Sequence, residues 1–349
     1  MHPTHRAAGV MALVLLALGG LAAAAQGPAS QPVTPAEARR LQQKERLRPG
    51  STTAPTADQG VTSPTHQAHV GRIVFTRADQ QLAQVDAGAF VSDFAIGDPF
   101  YFRVFLARSA VNAMKPLVPN LNRTDAARSM RYRVRFTVGG QTVEARFNRW
   151  GRDTEHLEWT TWRGAFLARQ ETTIPGQEVF REFLSRATAR GLLPPGRHRV
   201  AVEVVPVVEH SSAAPVVGQP IARGEFNLTV TPASFNRRDP KVCMMQPGMS
   251  DPALENEMLK LARSQWNTAE NQPQRPIIVD GGWTIERHPV SGVVVSRSIN
   301  AIIPAKGAEA CNYRGYAYRQ QYVGGRFLPA SSFAGAQRDV TFAPCPCIP

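Results

Sequence analysis

Arg131-Tyr-Arg-Val-Arg-Phe-Thr-Val138, Gly139-Gly140 and Gln141-Thr-Val-Glu-Ala-Arg-Phe-Asn148 read as two strands joined by a tight turn. Both arms alternate apolar and polar residues with the period of two that a half-buried strand requires, and a Gly-Gly pair between such arms marks a two-residue hairpin. The turn sets the register. Val138 faces Gln141, so Phe136 pairs with Val143, Val134 with Ala145 and Tyr132 with Phe147 on the buried face. On the other face Arg135 meets Glu144, but Arg133 lies opposite Arg146. Like charges opposed across a ladder are unfavourable until something neutralises them. Arg131, Arg133 and Arg146 are therefore an anion-binding candidate, with an acid such as Asp153, Glu155 or Glu158, or simply water, as the alternative.

Further strands are predicted around this hairpin at Gly71–Thr76, Phe100–Arg108, Leu157–Phe166, Arg199–Val208 and Gly224–Val230. Between them, Gln177–Arg190 has helical spacing at Val179, Phe180, Phe183, Leu184 and Ala187 and stops at Gly191. Many short strands with Gly/Pro turns and one inserted helix predict an antiparallel β-sandwich of immunoglobulin-like architecture over 68–240. The Cys and Trp marks of a true immunoglobulin domain are missing, so the expectation concerns architecture only.

A second unit is expected over 241–349. Asp251 is a good N-cap with Pro252 in the first turn, and Leu254, Met258, Leu259, Leu261, Ala262 and Trp266 form one apolar stripe. Strands at Trp283–Arg287, Val293–Ile303, Asn312–Tyr322 and near Val340–Ala343 supply a sheet for it to cover, which makes a small α+β domain. All four cysteines, Cys243, Cys311, Cys345 and Cys347, fall here. An even count confined to one small domain reads as a disulfide framework, so the module is expected to be stapled by two bridges. Cys345 and Cys347 flank a proline and are poorly placed to join each other. Cys243 then takes one tail cysteine and Cys311 the other, in either combination. No His or further Cys completes a ligand set around Cys345-Pro-Cys347, so no metal is expected.

Tyr316, Tyr318 and Tyr322 share one face of their strand. They form an exposed strip for a partner if the helix covers the other face, and core if it covers theirs. Beside them, Gln321-Tyr-Val-Gly-Gly325 resembles the Gln-x-Val-x-Gly loop of the cystatins, inhibitors of papain-like proteases whose fold is also a helix on an antiparallel sheet. The resemblance covers five residues and implies contact roles for Gln321, Val323 and Gly325. The Pro-Trp hairpin that follows the loop in that family has no counterpart here.

The start of the chain bears on compartment. A weakly basic Met1–Arg6, an apolar run from Gly9 to Leu21 and the small residues Ala23-Ala-Ala25 predict a secretory signal peptide over 1–25. Residues 26–67 are rich in Pro, Ala, Thr, Ser and Gln and are expected to be a disordered linker. His66-Gln-Ala-His69 within it reads as solvated, since no carboxylate or thiolate stands nearby. The formal charge is +13, yet only five of the 40 basic residues are lysine and the arginines are scattered without runs, so nucleic acid is not an expected partner. No Gly-x-Ser-x-Gly elbow, His-Glu-x-x-His, Walker loop or dinucleotide fingerprint is present. The expectation is an exported cell-envelope protein, periplasmic or extracellular, without cofactor, acting by binding another envelope protein or an anionic glycan. A secreted hydrolase using scattered Asp, Glu and His residues, and a cystatin-like inhibitor using 321–325, are the alternatives.

Overall fold

A computed structural model describes residues 58–81, 85–147, 158–168, 174–210, 213–236, 239, 241–243, 247–334 and 340–349. The expected signal peptide and residues 26–57 of the expected linker lie outside them. Residues 58–67 are packed against the protein. Asp58 accepts hydrogen bonds from Ser109 N and Asn112 Nδ2, and Thr160 Oγ1 donates to Gly60 O. His66 begins no solvated segment: in the short helix α1 (Pro64–Ala68) it is fully buried, stacks near Phe105 and donates Nε2–H to Leu106 O at 2.9 Å. Its acceptor lies 40 residues away, which a reading of local composition does not reach.

The chain is mainly β. Nine strands form a first sheet: β1 (Arg72–Thr76), β2 (Asp93–Ala95), β3 (Phe100–Phe105), β4 (Met130–Val138), β5 (Gln141–Phe147), β6 (Thr161–Leu167), β7 (Gly196–His210), β8 (Ala213–Val217) and β9 (Ala222–Val230). Their order is β5-β4-β7-β9-β1-β3-β6, with β2 beside β9 and β8 beside β7. The β4–β5 hairpin has the expected register, Phe136 on Val143 and Arg133 on Arg146, and Gly139 and Gly140 both take the positive φ that its turn demands. The short helices α2 (Ala110–Met114) and α3 (Arg123–Ser129) precede β4, and Met114 and Ala126 are fully buried.

The sheet curls until its two edges meet. Phe147 of β5 stacks on Trp162 of β6 with ring centroids 5.7 Å apart, and Phe136 of β4 reaches Phe166 of β6 at the same distance. Helix α4 (Gln177–Ala189) closes the seam. Its Phe180 and Phe183 are fully buried, stacked on Phe166 and Phe136 at 5.1 and 4.3 Å. Burying a phenylalanine contributes roughly 1.5–3 kcal/mol, so these rings anchor the helix. The strand edges that meet the helix are also answered. Glu182, itself buried and paired with Arg186, accepts from Arg146 N on β5, and Ala165 N on β6 donates to Pro175 O. An edge covered in this way offers no template to another strand.

The second sheet has β10 (Gln272–Pro273), β11 (Ile277–Ile278) and β12 (Thr284–Arg287) as three pieces along one side of β13 (Val294–Lys306). On the other side lies β14 (Cys311–Val323), flanked by β15 (Arg326–Phe327), β16 (Phe333–Ala334) and β17 (Thr341–Phe342). Helix α5 (Pro252–Trp266), capped by Asp251 Oδ1 accepting from Leu254 N, lays Leu254, Met258 and Ala262 on this sheet against Ile299, Ala301, Ile303, Tyr316 and Tyr318. A 15-residue helix is about 22 Å long, whereas 13 residues of strand span about 43 Å. The helix covers the middle of the β13–β14 ribbon, at Ile299–Ile303 and Tyr316–Tyr318, and stops short of its end at Val294 and Val323.

Two disulfides and α4 bind the sheets together. Cys243 pairs with Cys347 and Cys311 with Cys345, which selects one of the two expected connectivities. Cys347 enters the first core beside Val242, while Cys345 sits over α4, where its N–H donates to Thr188 Oγ1 at 2.9 Å. Ser185, fully buried on α4, donates to Cys311 O at 2.6 Å and accepts from Cys311 N at 2.8 Å. One hydroxyl thus takes both backbone groups of the first β14 residue.

Candidate partner-binding surface

Beyond the end of α5 the β12–β13 and β14–β15 hairpins turn side by side, because Ser296 pairs with Glu286 on one side and Gln321 on the other. The first turn is held by its own hydrogen bonds. Gly292 N donates to His288 O, His288 N to Val293 O, and His288 Nδ1 accepts from Ser291 N at 3.2 Å. The second is the Gly324-Gly325 pair, both at positive φ. Firm backbones therefore present apolar side chains to water: Val290 is 89% exposed, Val293 59% and Val323 55%, with Ile285 and Tyr322 beside them. Scattered exposed apolar residues are ordinary, but five concentrated on two adjacent hairpins make a candidate patch.

Cations surround that patch. The Arg297 guanidinium lies between the Trp283 and Phe327 rings at 4.0 and 4.2 Å and donates Nε–H to Gln320 Oε1, an arrangement that holds a charge over two aromatic faces. On the opposite face Arg319 pairs with Glu286, and both bond Ser296 Oγ. Arg287 and Arg326 are exposed at the two turns. The edge strand β12 is exposed along its whole length.

The tyrosine strip is divided by α5. Tyr316 and Tyr318 are core: Trp266 stacks on Tyr316 at 4.5 Å, and Tyr318 is fully buried with its hydroxyl donating to the Glu257 carboxylate. Burial, reinforced by that carboxylate, pushes the Tyr318 phenol up to about 12. Tyr322 lies past the helix, half stacked on Phe327 and open to water, and Gln321 and Val323 are exposed beside it.

Arg131, Arg133 and Arg146 share the outer face of the curled sheet. Glu144 reaches both Arg133 and Arg135 at 3.1 Å, Arg131 donates to Met130 O, and the Arg146 side chain is exposed. Asp153 and Glu155 lie outside the described residues. A second like-charge opposition exists that local reading misses: Arg103 of β3 stands directly across from Arg163 of β6. Strands so far apart in sequence carry no local signal of their register. Among the described residues no three His, Cys, Asp or Glu side chains gather as metal ligands. The cavity inside the curled sheet, lined by Ile73, Val134, Trp162 and Val204, is apolar. In comparisons with known proteins the chain matches no family model, no curated protein and no solved structure, so its function is argued from these surfaces alone.

Proposed function

We propose that this chain is an exported cell-envelope protein that acts by binding, and that it grips another protein through the paired hairpin tips at 288–293 and 322–325. The observation behind this is the exposed patch of Ile285, Val290, Val293, Tyr322 and Val323, held on firm turns and ringed by arginine. Apolar and aromatic anchors inside a polar rim are the usual make-up of a protein interface. Export rests on the signal-like start and agrees with the two disulfides; no described helix is long and apolar enough to cross a membrane. The immunoglobulin-like layering of 68–240 and a boundary near Lys241 belong to the same reading, in which the first unit is scaffold and the second carries the contact.

The mature oxidised protein should recover a defined partner from envelope extract, and Val290→Asp with Val323→Asp should lose it while keeping the wild-type thermal midpoint. Equal recovery by both proteins would remove the tips from the interface. A glycan partner is the other reading, supported by the arginines of the outer face. It predicts retention on heparin-like resin that weakens on Arg133→Glu, and unchanged retention would end it. The position of Gln321–Gly325 at an exposed turn beside a second turn also supports the cystatin-like alternative. Inhibition of a papain-type enzyme that is lost in Gln321→Ala would establish that role, and no inhibition at high concentration would dismiss it.

A further inference from the structure

We infer that Arg103 and Arg163 form a binding site for one small anionic group, a carboxylate or an oxyanion. Arg103 lies on β3, one strand in from the β6 edge, and is only 7% exposed. Its described hydrogen bonds go to two neutral acceptors, Gln80 O at 2.5 Å and Thr161 Oγ1 at 3.5 Å, which use two of the five N–H donors of a guanidinium. Arg163 faces it across the ladder. The carboxylate lining the same cleft, Asp79, is committed to Arg163 at 2.5 Å, so two cations share one anion. Burial and the neighbouring Arg163 press the Arg103 pKa down to about 10, as expected for a buried charge short of negative partners.

Thr76, Gln80, Phe90 and Tyr101 wall a small cleft that opens to solvent beside both guanidiniums. Gln80 has its side-chain oxygen buried with no hydrogen-bond partner among the described residues. A half-turn of that amide offers two N–H donors in its place, and amide orientation is an assignment from the hydrogen-bond network. Donors from Arg103, Arg163 and Gln80 would then converge on an anionic oxygen pair, the geometry in which guanidinium binds most strongly. The cleft is shallow, so a single charged group would sit at its mouth with the rest of its molecule outside. This site lies on the first sheet and is independent of the hairpin tips.

Thermal unfolding of the full protein in acetate, glucuronate or phosphate, with ionic strength balanced by sodium chloride, tests it. The expected result is a saturable rise in Tm with at least one of these anions, reached at several-fold lower concentration in Asp79→Asn and abolished in Arg163→Gln. Equal response to acetate and glucuronate would identify the bare carboxylate as the recognised group, and a response at lower phosphate concentrations would identify the oxyanion. No saturable rise in the wild type and in Asp79→Asn, or a rise undiminished in Arg163→Gln, would overturn the site. If Arg163→Gln does not fold, a concentration dependence in Asp79→Asn no stronger than in the wild type does the same.

Discussion

Helices α4 and α5 meet their sheets differently. Helix α4 closes the seam of the curled sheet, with Phe180 and Phe183 in the core, Glu182 on the β5 edge, Ser185 on the first residue of β14 and Thr188 on the tail at Cys345. Helix α5 lies on a ribbon about twice its length and stops short of the end where Gln321, Tyr322 and Val323 are exposed. In the first region nearly every apolar side chain has a place inside. In the second the two hairpins beyond the helix carry Ile285, Val290, Val293, Tyr322 and Val323 outside. Enclosure makes a scaffold, and incomplete coverage makes a surface.

The sharpest way to break this contrast is at the disulfides that join the regions. The Cys243–Cys347 bridge closes 104 residues and the Cys311–Cys345 bridge 34. Loop entropy predicts losses of about 4.7 and about 3.8 kcal/mol for the respective double serine variants, measured by urea unfolding. Equal losses would show that strain or residual structure outweighs the loop term. Next in size, Phe180→Ala should cost about 3–5 kcal/mol, whereas Val290→Asp at the bare tip should stay within about 0.5 kcal/mol of wild type. A comparable loss at Val290 would mean that the tip is packed. Ser185→Ala should cost about 1–3 kcal/mol by leaving the Cys311 N–H unanswered, while the Cys311 C=O keeps its bond from Ala343 N.

The smallest effect concerns pH. Tyr318 is held protonated in the folded state up to about 12, above the ordinary phenol value of 10.0. A raised folded pKa gives stability that is fully present below pH 10 and is lost as the pH climbs towards 12. Denaturant unfolding from pH 8 to 12 should show a shallower alkaline decline for Tyr318→Phe than for wild type. Identical declines would place the titrating tyrosine elsewhere.

How much of this was legible depended on how far apart the interacting residues stand. The β4–β5 register, including Arg133 against Arg146, could be read because a two-residue turn fixes every pair that follows it. Helix α5 could be read because its cap and stripe are local. The Arg103–Arg163 opposition joins strands whose pairing only the whole sheet determines, and the burial of His66 depends on Leu106. Alternation placed Tyr316, Tyr318 and Tyr322 on one face without saying which face is covered. It also could not show that cover would stop between Tyr318 and Tyr322, which follows from the unequal lengths of helix and ribbon. The partnership of Ser185 with Cys311 was invisible, since a serine on a helix has no pattern that announces a strand as its neighbour.

The disulfide connectivity also governs the order in which the molecule can be finished. Synthesis runs from the N-terminus, so Cys243 and Cys311 emerge while Cys345 and Cys347 do not yet exist. In oxidising surroundings the first bridge open to the growing chain is Cys243–Cys311, which the finished structure does not contain. Correcting it takes thiol exchange, which runs over seconds to hours depending on oxidant and isomerase. Wherever that early bridge forms, the tail cysteines must displace it before the native pair of disulfides is complete.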